Sequence, residues 1–354
     1  MALFLKKNLK LILILENKLN AILMKNTIIN IGIIGFGKTG KERFKILQKE
    51  KKVKIHSICD QLEIKKKYKE INYTNNPEIL IKNKEITAVF ISVPNYLNKK
   101  LVIKCLKNNK HVFCEKPPTL NSKEMLEVIK IEKKTKLKLM YGFNHRHHES
   151  VQRMKKIIDT NQLGKVLWMR GRYGKSVDKN FFDTWRSKKK YSGGGILIDQ
   201  GIHMIDLFLY LAGNFNKIQS SISNLYWKSD IEDNAFVILE NTKNKISASL
   251  HSTMTQWRHL FSLEIFLEKG YLVLNGLITS SKSYGDEILA IVKNRTITPE
   301  AKWKKVTHKR YKVDNSFKNE VNEFFDAIIN DKPILNGNSK DALELMVIID
   351  KIYN

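Results

Sequence analysis

The sequence predicts a two-domain α/β protein, in which a parallel sheet precedes a large open, mainly antiparallel sheet. Three observations support this prediction. Apolar runs of the kind buried in parallel strands alternate with helical patterns up to residue 144. Shorter alternating runs, separated by turn residues, follow beyond residue 217. At 354 residues the chain is also long enough for about two domains.

The composition is typical of a globular protein except for its charge. Hydrophobic residues make up 42% and charged residues 28%, but the net charge is +28. The lysines are scattered, with short clusters at 65–67 and 188–190 and no long basic arm. We therefore expect a positive field that favours an anionic substrate or cofactor, and no specific nucleic-acid binding.

The cysteines and the apolar runs indicate in which cellular compartment the protein is expected. Three cysteines without a Cys-x-x-Cys pair predict reduced thiols in a cytoplasmic protein. No apolar run approaches the roughly 20 residues that cross a bilayer, which predicts no membrane association. Residues 1–26 hold a short apolar core without a cleavage site, and we interpret them as an extension outside the fold, with a start at Met24. A membrane-surface helix is the alternative for this segment.

A glycine motif follows the first predicted strand, residues 28–34, and opens a helical pattern. That context indicates a Rossmann dinucleotide-binding unit. Gly35 permits the tight turn, Gly37 lets the backbone approach a pyrophosphate, and Gly40 lets the helix pack on the strand. The helix N-terminus adds free N–H groups for the phosphates. The predicted cofactor contacts are Gly35, Phe36, Gly37, Lys38, Thr39 and Gly40.

An acid ends the second predicted strand, residues 53–59. Asp60 at this position accepts hydrogen bonds from the adenosine ribose and repels a 2′-phosphate. We therefore predict NAD as the cofactor. NADP stays an alternative, since the nearby lysines 65–67 tolerate a phosphate, and a helix cap or turn acid is the alternative role for Asp60.

Two further predicted strands, 88–92 and 111–114, end in loops that carry polar side chains. Such loops line the ligand crevice of open α/β sheets. Pro94 and Asn95 follow the first of these strands, and Glu115 and Lys116 follow the second. We predict that all four contact the cofactor. The alternative for Glu115 and Lys116 is a solvated pair of loop charges.

A second motif spans residues 192–206, where three glycines lead into an apolar segment carrying Asp199 and His203. If the segment is helical, the two side chains lie on one face, because residues four apart are neighbours on a helix. A carboxylate beside an imidazole can orient a general base. We predict that Asp199 supports a catalytic His203, with an ordinary helix-surface pair as the alternative. The glycine motif upstream favours catalysis, because separate site elements agree.

Two more polar clusters accompany these motifs. The last predicted strand of the first sheet, 139–143, precedes histidines 145, 147 and 148, but no Cys or acid is spaced to complete a metal site. Arg146 among them is predicted to bind substrate, or to form an interdomain junction. Trp185 is suited to stacking on a sugar and Arg186 to pairing with a phosphate or carboxylate. Ordinary packing and a surface cation are their alternatives.

The second half predicts strands and two terminal helices. Alternating patterns recur at 166–172, 218–226, 235–240, 246–251, 263–267 and 271–274. Amphipathic patterns at 317–329 and 342–353 predict helices that pack back on the first domain. The predicted domains are an extension at 1–26, a Rossmann domain at 27–144, an α/β domain at 145–312 and C-terminal helices at 313–354.

Taken together, the glycine motif, Val93-Pro94-Asn95, residues 110–117 and residues 193–206 resemble the Gfo/Idh/MocA oxidoreductases. The resemblance runs from about residue 27 to the C-terminus. It implies a Rossmann domain followed by an α/β domain whose open sheet often forms a homo-oligomer interface. It also implies that Lys116 contacts substrate and nicotinamide, and that Asp199 and His203 lie at the substrate, with His203 as acid/base. Asn98 and Asn109 depart from the His and Gly usual in the family.

The predicted activity is hydride transfer between NAD and a hydroxyl-bearing carbon of a sugar or nucleotide-sugar, with a role in cell-surface polysaccharide synthesis. An inositol or free-sugar dehydrogenase is one alternative. A non-catalytic NAD(P)-binding regulator is the other. The retained Lys116, Asp199 and His203 favour an enzyme, because a sensor does not need them.

Overall fold

A computed structural model describes residues 28–62, 64, 68–293 and 306–354. The predicted extension at 1–26 and the predicted phosphate-tolerant lysines at 65–67 lie outside these residues. The described chain is built around two sheets and nine α-helices. The helices are α1 Lys38–Leu47, α2 Pro77–Lys82, α3 Asn98–Lys107, α4 Ser122–Glu132, α5 Glu149–Asp159, α6 Lys189–Ser192, α7 Ile202–Ala212, α8 Ser316–Ile329 and α9 Ser339–Tyr353.

The first sheet is parallel and six-stranded. Its strands are β1 Ile29–Ile34, β2 Val53–Cys59, β3 Asn72–Thr74, β4 Ala88–Ile91, β5 His111–Glu115 and β6 Leu139–Gly142. Their order is β3-β2-β1-β4-β5-β6, the Rossmann order. The strand order reverses between β1 and β4, so the loops after these strands open a crevice between them. The Rossmann prediction is confirmed.

The second sheet has eight strands and is mainly antiparallel, as predicted. Its strands are β7 Val166–Ser176, β8 Lys217–Ser223, β9 Asn234–Asn241, β10 Ile246–Thr253, β11 Thr255–Leu267, β12 Gly270–Asn275, β13 Ile288–Lys293 and β14 Thr307–Arg310. The order is β14-β13-β12-β11-β7-β10-β9-β8. Strand β7 lies in the middle and pairs in parallel with β10, so the sheet is not a simple meander.

One hydrophobic core joins the two sheets. Val89 of the first sheet, Leu250 and Leu263 of the second, and Ile349 of α9 belong to one cluster of buried side chains. Helix α8 packs on the other face of the first sheet, through residues such as Phe324. Because packing is continuous across the predicted boundaries, the domain limits stay predictions.

A buried arginine ties α1, the end of β5 and the C-terminal helix α8 together. Arg43 of α1 is fully buried. Its guanidinium donates hydrogen bonds to Glu115, at 2.7 Å, and to Glu320 of α8, at 2.6 Å. The rings of Phe113 and Phe317 cover it at 4.4 and 4.3 Å. A buried arginine needs such partners, because an unpaired charge in the interior is costly. The network fixes Glu115, the neighbour of Lys116.

Within the described residues, one helical segment is long and apolar enough, by length and composition, to cross a membrane. It is Lys189–Ala212, of 24 residues, and 78% of its apolar window is buried inside the protein. Core helices pass the same test. This segment contains α6, a π turn and α7, and it packs between the second sheet and α9.

The outer face of the second sheet carries large apolar side chains. Trp168, Phe236 and Ile238 are 38%, 50% and 48% exposed. Trp168 stacks on Phe266 with ring centroids 4.1 Å apart. An antiparallel sheet ordinarily presents a polar face to water, so this face is unusually apolar for an exposed surface.

Candidate active site

A crevice of about 950 Å³ opens between the two sheets. It runs from the glycine motif past the ends of β4 and β5 to the π turn. Most of the predicted site residues line it, namely Gly35, Gly37, Lys38, Thr39, Asp60, Pro94, Asn95, Glu115, Lys116, Trp185, Arg186 and Asp199. Phe36, Gly40, Arg146 and His203 lie outside the lining.

The glycine motif has the geometry that a dinucleotide needs. Gly35 has φ +91, which disfavours any side chain, and a Cβ on Gly40 would lie 2.0 Å from the carbonyl oxygen of Gly35. A Cβ on Gly37 would meet no atom within 4 Å, so this backbone faces open space in the crevice. The N-terminus of α1 begins directly after it. These residues therefore fit a bound pyrophosphate.

Asp60 organises the same loop. Its carboxylate accepts hydrogen bonds from the backbone N–H of Phe36, at 2.5 Å, and of Leu62, at 2.9 Å. Carboxylate oxygens have further lone pairs, and Asp60 lines the crevice, so it can also receive ribose hydroxyls. The Phe36 N–H is already bonded and its ring lies in a smaller neighbouring cavity. The predicted cofactor contact of Phe36 is therefore not supported.

Lys116 connects the first sheet to the second half of the chain. It follows β5, and its Nζ donates to the backbone carbonyl of Asp199 at 2.5 Å. Burial lowers the pKa of Lys116 from its ordinary value, and the positive charges of Arg186 and Lys175 reinforce this while Asp199 opposes it. A lowered pKa makes the free amine of a lysine more available as a proton acceptor.

Two asparagines take the positions where the family usually has other residues. Asn98 is fully buried, and its side-chain N–H group donates to the carbonyls of Glu115 and Pro117, at 3.3 and 2.8 Å. It thus holds the backbone on both sides of Lys116. Asn109 has φ +58, a conformation that glycine adopts most readily and asparagine tolerates. Both departures are therefore compatible with the fold.

Asp199 lies in a π turn, Leu197–Gly201, that precedes α7. Its carboxylate accepts hydrogen bonds from Lys175 at 2.8 Å and from Gln200 at 3.3 Å, and it has none from His203. The predicted Asp199–His203 pair is thus wrong. The four-residue neighbour rule applies to a regular α-helix, and a π turn bonds residues five apart.

Charge determines the state of Asp199. Burial favours the neutral form of its carboxyl, but Lys175, Lys116 and Arg186 outweigh burial and hold the pKa well below its ordinary value. Asp199 is therefore an anion throughout the physiological range. π turns are frequent at functional sites, because they redirect one side chain out of the helical pattern.

His203 is buried behind the crevice rather than exposed in it. Its ring stacks on His145, with centroids 3.9 Å apart and planes at 17°, and its Nδ1 has no hydrogen-bond partner. His145 in turn bonds to the Tyr173 hydroxyl at 2.9 Å. Burial, reinforced by His145, Lys116 and His148, lowers the pKa of His203 well below its ordinary value. The imidazole is therefore neutral at pH 7, and its lowered pKa makes it a weaker base than an exposed histidine.

Arg146 has a structural role, and its predicted substrate contact is wrong. Its Nε and Nη2 donate to Asp206 of α7, the latter at 2.6 Å, and its Nη1 donates to Asp341 of α9 at 2.9 Å. The guanidinium is buried and fully occupied by these carboxylates. The interdomain junction that we named as the alternative is the arrangement observed. Among the described residues, no group of His, Cys, Asp and Glu side chains is arranged to hold a metal ion.

Trp185, Arg186 and Lys175 complete the far end of the crevice. Arg186 lies over the Trp185 ring at 4.6 Å. Lys175 is near the end of β7, beyond the predicted strand end at residue 172, and sequence reasoning missed it.

The π turn is anchored by two residues that sequence reasoning also missed. The carboxylate of Glu232 accepts hydrogen bonds from the backbone N–H groups of Gly195 and Leu197, at 2.7 and 3.1 Å, and from the hydroxyl of Tyr353 at 2.8 Å. A Cβ on Gly195 would lie 2.0 Å from the Glu232 carbonyl oxygen, so only glycine allows this approach. The segment before the π turn has a further anchor, because the side-chain amide of Asn95 donates a hydrogen bond to the Ser192 carbonyl at 2.7 Å.

Comparison with known proteins agrees with this geometry. Residues 29–143 match the family model described as an oxidoreductase family with an NAD-binding Rossmann fold, and residues 151–273 match the GFO/IDH/MocA C-terminal domain. The 2,7-anhydro-N-acetylneuraminate hydratase of Escherichia coli is 26% identical over 261 residues, 72% of this chain and 67% of that protein. The myo-inositol 2-dehydrogenase of Thermotoga maritima is 25% identical over 275 residues, 73% of this chain and 78% of the relative.

A solved structure supports the fold. Levoglucosan dehydrogenase in complex with NADH superposes with a TM-score of 0.78 over 92% of this chain and 96% of the other, at 21% identity. At that identity the likeness concerns the fold alone.

We predict that Glu232→Gln lowers the free energy of unfolding by about 1–3 kcal/mol, because the amide leaves buried N–H donors facing another donor. Urea denaturation of the purified protein measures this. Glu240→Gln, at an exposed pair with Lys217, is the control and should change stability by less than about 0.5 kcal/mol. Equal effects of the two changes would contradict an anchoring role for Glu232.

Proposed function

This chain belongs to the Gfo/Idh/MocA oxidoreductases and has an NAD-binding Rossmann domain, and we propose on that basis that it transfers a hydride between the nicotinamide and a hydroxyl-bearing carbon of a sugar. The observation that carries the proposal is the meeting of Lys116 with Asp199 at one end of a crevice whose other end is the glycine motif. The inositol and levoglucosan dehydrogenases among the similar proteins act on hydroxyl-rich substrates by name, which supports it.

The cofactor would be held by the first half of the chain. Backbone N–H groups at the start of α1, beside Gly37, would receive the pyrophosphate. Asp60 would receive the adenosine ribose, which favours NAD over NADP. Pro94, Glu115 and Lys116 line the crevice beyond the pyrophosphate site, where the nicotinamide end would extend.

Lys116 is the proposed acid/base group. A bound nicotinamide would supply the acceptor for the hydride that leaves the carbinol carbon. Lys116 takes the hydroxyl proton at Nζ, and its pKa, lowered by burial, makes the free amine accessible. Asp199 holds Nζ through its backbone carbonyl, and its carboxylate anion stabilises the ammonium that forms.

In this proposal His203 does not contact the reacting atoms. Its buried ring stacks on His145 behind the crevice lining, and its lowered pKa makes it a weak base, so we propose a positioning role and not that of the base. Trp185 lines the substrate end with a flat apolar face that suits a sugar ring.

The finer features of the function also stay proposals. They are a nucleotide-linked substrate, a role in cell-surface polysaccharide synthesis, and a cytoplasmic location. The similarity to a myo-inositol dehydrogenase favours an inositol or free sugar as the second candidate substrate. A non-catalytic NAD(P)-binding regulator is the remaining alternative. The turnover measurements described below distinguish such a regulator from an enzyme.

We also propose a homo-oligomer through the outer face of the second sheet. Trp168, Phe236 and Ile238 expose apolar surface there. The Arg170–Glu264 pair, bonded at 2.8 Å, lies on the same face beside Trp168. A flat apolar face of this kind is suited to a symmetric contact with a second copy.

We predict that Lys116→Met lowers kcat by about 10²–10⁴-fold, because the variant lacks the group that takes the proton. NAD⁺ reduction, followed by absorbance on a panel of sugars and inositols, measures the rate. NADH affinity should stay within about threefold. In the parent protein the oxidation rate should rise with pH as Lys116 loses its proton, at a pH below the ordinary lysine value of about 10.4.

Lys123→Met, at an exposed position on α4, is the matched control and should retain parental turnover. A transition below the ordinary histidine pKa that persists in Lys116→Met and disappears in His203→Asn would assign the base to His203 instead. Turnover of Lys116→Met within a few-fold of the parent would refute the proposed role of Lys116. Absence of turnover in the parent on every substrate, with NADH bound, would favour the regulator.

A second prediction concerns cofactor choice. The parent protein should bind NADH more tightly than NADPH, and Asp60→Asn should weaken NADH binding by about tenfold and reduce the discrimination, because the amide has one acceptor and no charge. Fluorescence titration of each cofactor measures both affinities. Asp159→Asn, at an exposed helix end, is the control. Tighter binding of NADPH than NADH by the parent would refute the assignment of Asp60.

A third prediction concerns assembly. Trp168→Glu should shift the protein from an oligomer toward the monomer, because a charge on the apolar face would be buried without a partner. Sedimentation velocity measures the mass. Leu335→Glu, an exposed apolar residue between α8 and α9, is the control and should leave the mass unchanged. A monomeric parent protein would disprove the proposed interface.

A further inference from the structure

The substrate end of the crevice carries more positive than negative charge. Lys116, Lys175 and Arg186 line it, and Asp199 supplies one carboxylate. Glu115 also lines the crevice, but its carboxylate is bonded to the buried Arg43. Lys116 serves as the proposed base in its uncharged form, so Lys175 and Arg186 are two cations against one available carboxylate. One positive charge is therefore unmatched among the described lining residues at this end.

Lys175 is fixed close to the reacting group. Its Nζ lies 2.8 Å from Oδ2 of Asp199, while Lys116 bonds to the backbone carbonyl of the same residue. Two lysine side chains therefore bond to one residue. The negative charge of Asp199 is balanced by the positive charge of Lys175. No further carboxylate at this end of the crevice is left to balance the charge of Arg186.

Arg186 is the cation without a bonded acidic partner, since it acts on Asp199 only through space. It is half-buried, its guanidinium lies 4.6 Å from the centre of the Trp185 ring, and the described chain offers it neither a hydrogen bond nor an ion pair. Partial burial of an unpaired charge is unfavourable, and an anionic ligand would offset the cost. A guanidinium fork matches the two oxygens of a carboxylate or phosphate.

We propose that the substrate is an acidic sugar, whose carboxylate or phosphate is bound by Arg186 with Lys175 alongside. This inference rests on the proposed function and names its substrate class. Because Lys175 shares Asp199 with Lys116, the acidic group is attached to the sugar unit that is oxidised, and not to a distant nucleotide. The site thereby selects against neutral sugars and inositols, which leave Arg186 unpaired.

Equilibrium binding to the NADH-loaded protein tests this, since sugars that are already alcohols do not react with the reduced cofactor. The probes are D-glucuronate, D-galacturonate, glucose 6-phosphate, galactose 6-phosphate and the two neutral hexoses, measured by calorimetry. At least one acid should bind about tenfold or more tightly than its neutral hexose. The uronate and phosphate pairs distinguish the two kinds of acidic group.

Variants locate the acidic subsite. Arg186→Gln should weaken binding of the preferred acid by about tenfold or more, and binding of the neutral hexose by less than about threefold, with NADH affinity unchanged. Arg153→Gln, an exposed arginine on α5 outside the crevice, should change none of these. If no acid binds more tightly than its hexose, or if Arg186→Gln weakens NADH as much as the acid, the inference is wrong.

The proposed function fails in a different way. Selective acid binding without NAD⁺ reduction on any sugar would refute the dehydrogenase and retain the acidic subsite. Oxidation of neutral sugars only, with no preference for acids, would support the dehydrogenase and refute the acidic subsite.

Discussion

The contact on which the site depends is the hydrogen bond from Lys116 to the carbonyl of Asp199. One partner follows a strand of the parallel sheet, and the other lies in the π turn before α7. It brings a proton-transfer group from the cofactor half into the substrate half. The same contact places Lys116 among other cations, which together with burial lowers the pKa of its ammonium.

Both partners of this contact are held by groups that do not reach the crevice themselves. Asn98 bonds to the carbonyls that flank Lys116. Glu232 bonds to the backbone at the start of the π turn and is itself bonded by Tyr353 of α9. The site is therefore positioned by hydrogen bonds of buried polar side chains, which resist movement because breaking one of these bonds leaves an unsatisfied buried group.

The sequence predicted the first half of the molecule better than the second. Strands and the glycine motif follow local steric rules, so Gly35 and Gly40 lie as expected. The pairing of Asp199 with His203 relied on regular helical spacing, which the π turn breaks. Lys175 and Glu232 could not be assigned, because their partners are brought close only by the tertiary fold. The position of β7 between β10 and β11 likewise depends on non-local pairing.

The long sequence separations within the anchoring contacts have a consequence for the order of folding. Lys116 and Asp199 are 83 residues apart, and Glu232 and Tyr353 are 121 apart. Asp60 and Phe36, which shape the cofactor loop, are only 24 apart. Contacts between distant residues form later, because closing a long loop costs more entropy. During folding, the protein would thus acquire affinity for dinucleotide before it acquires the geometry to use one.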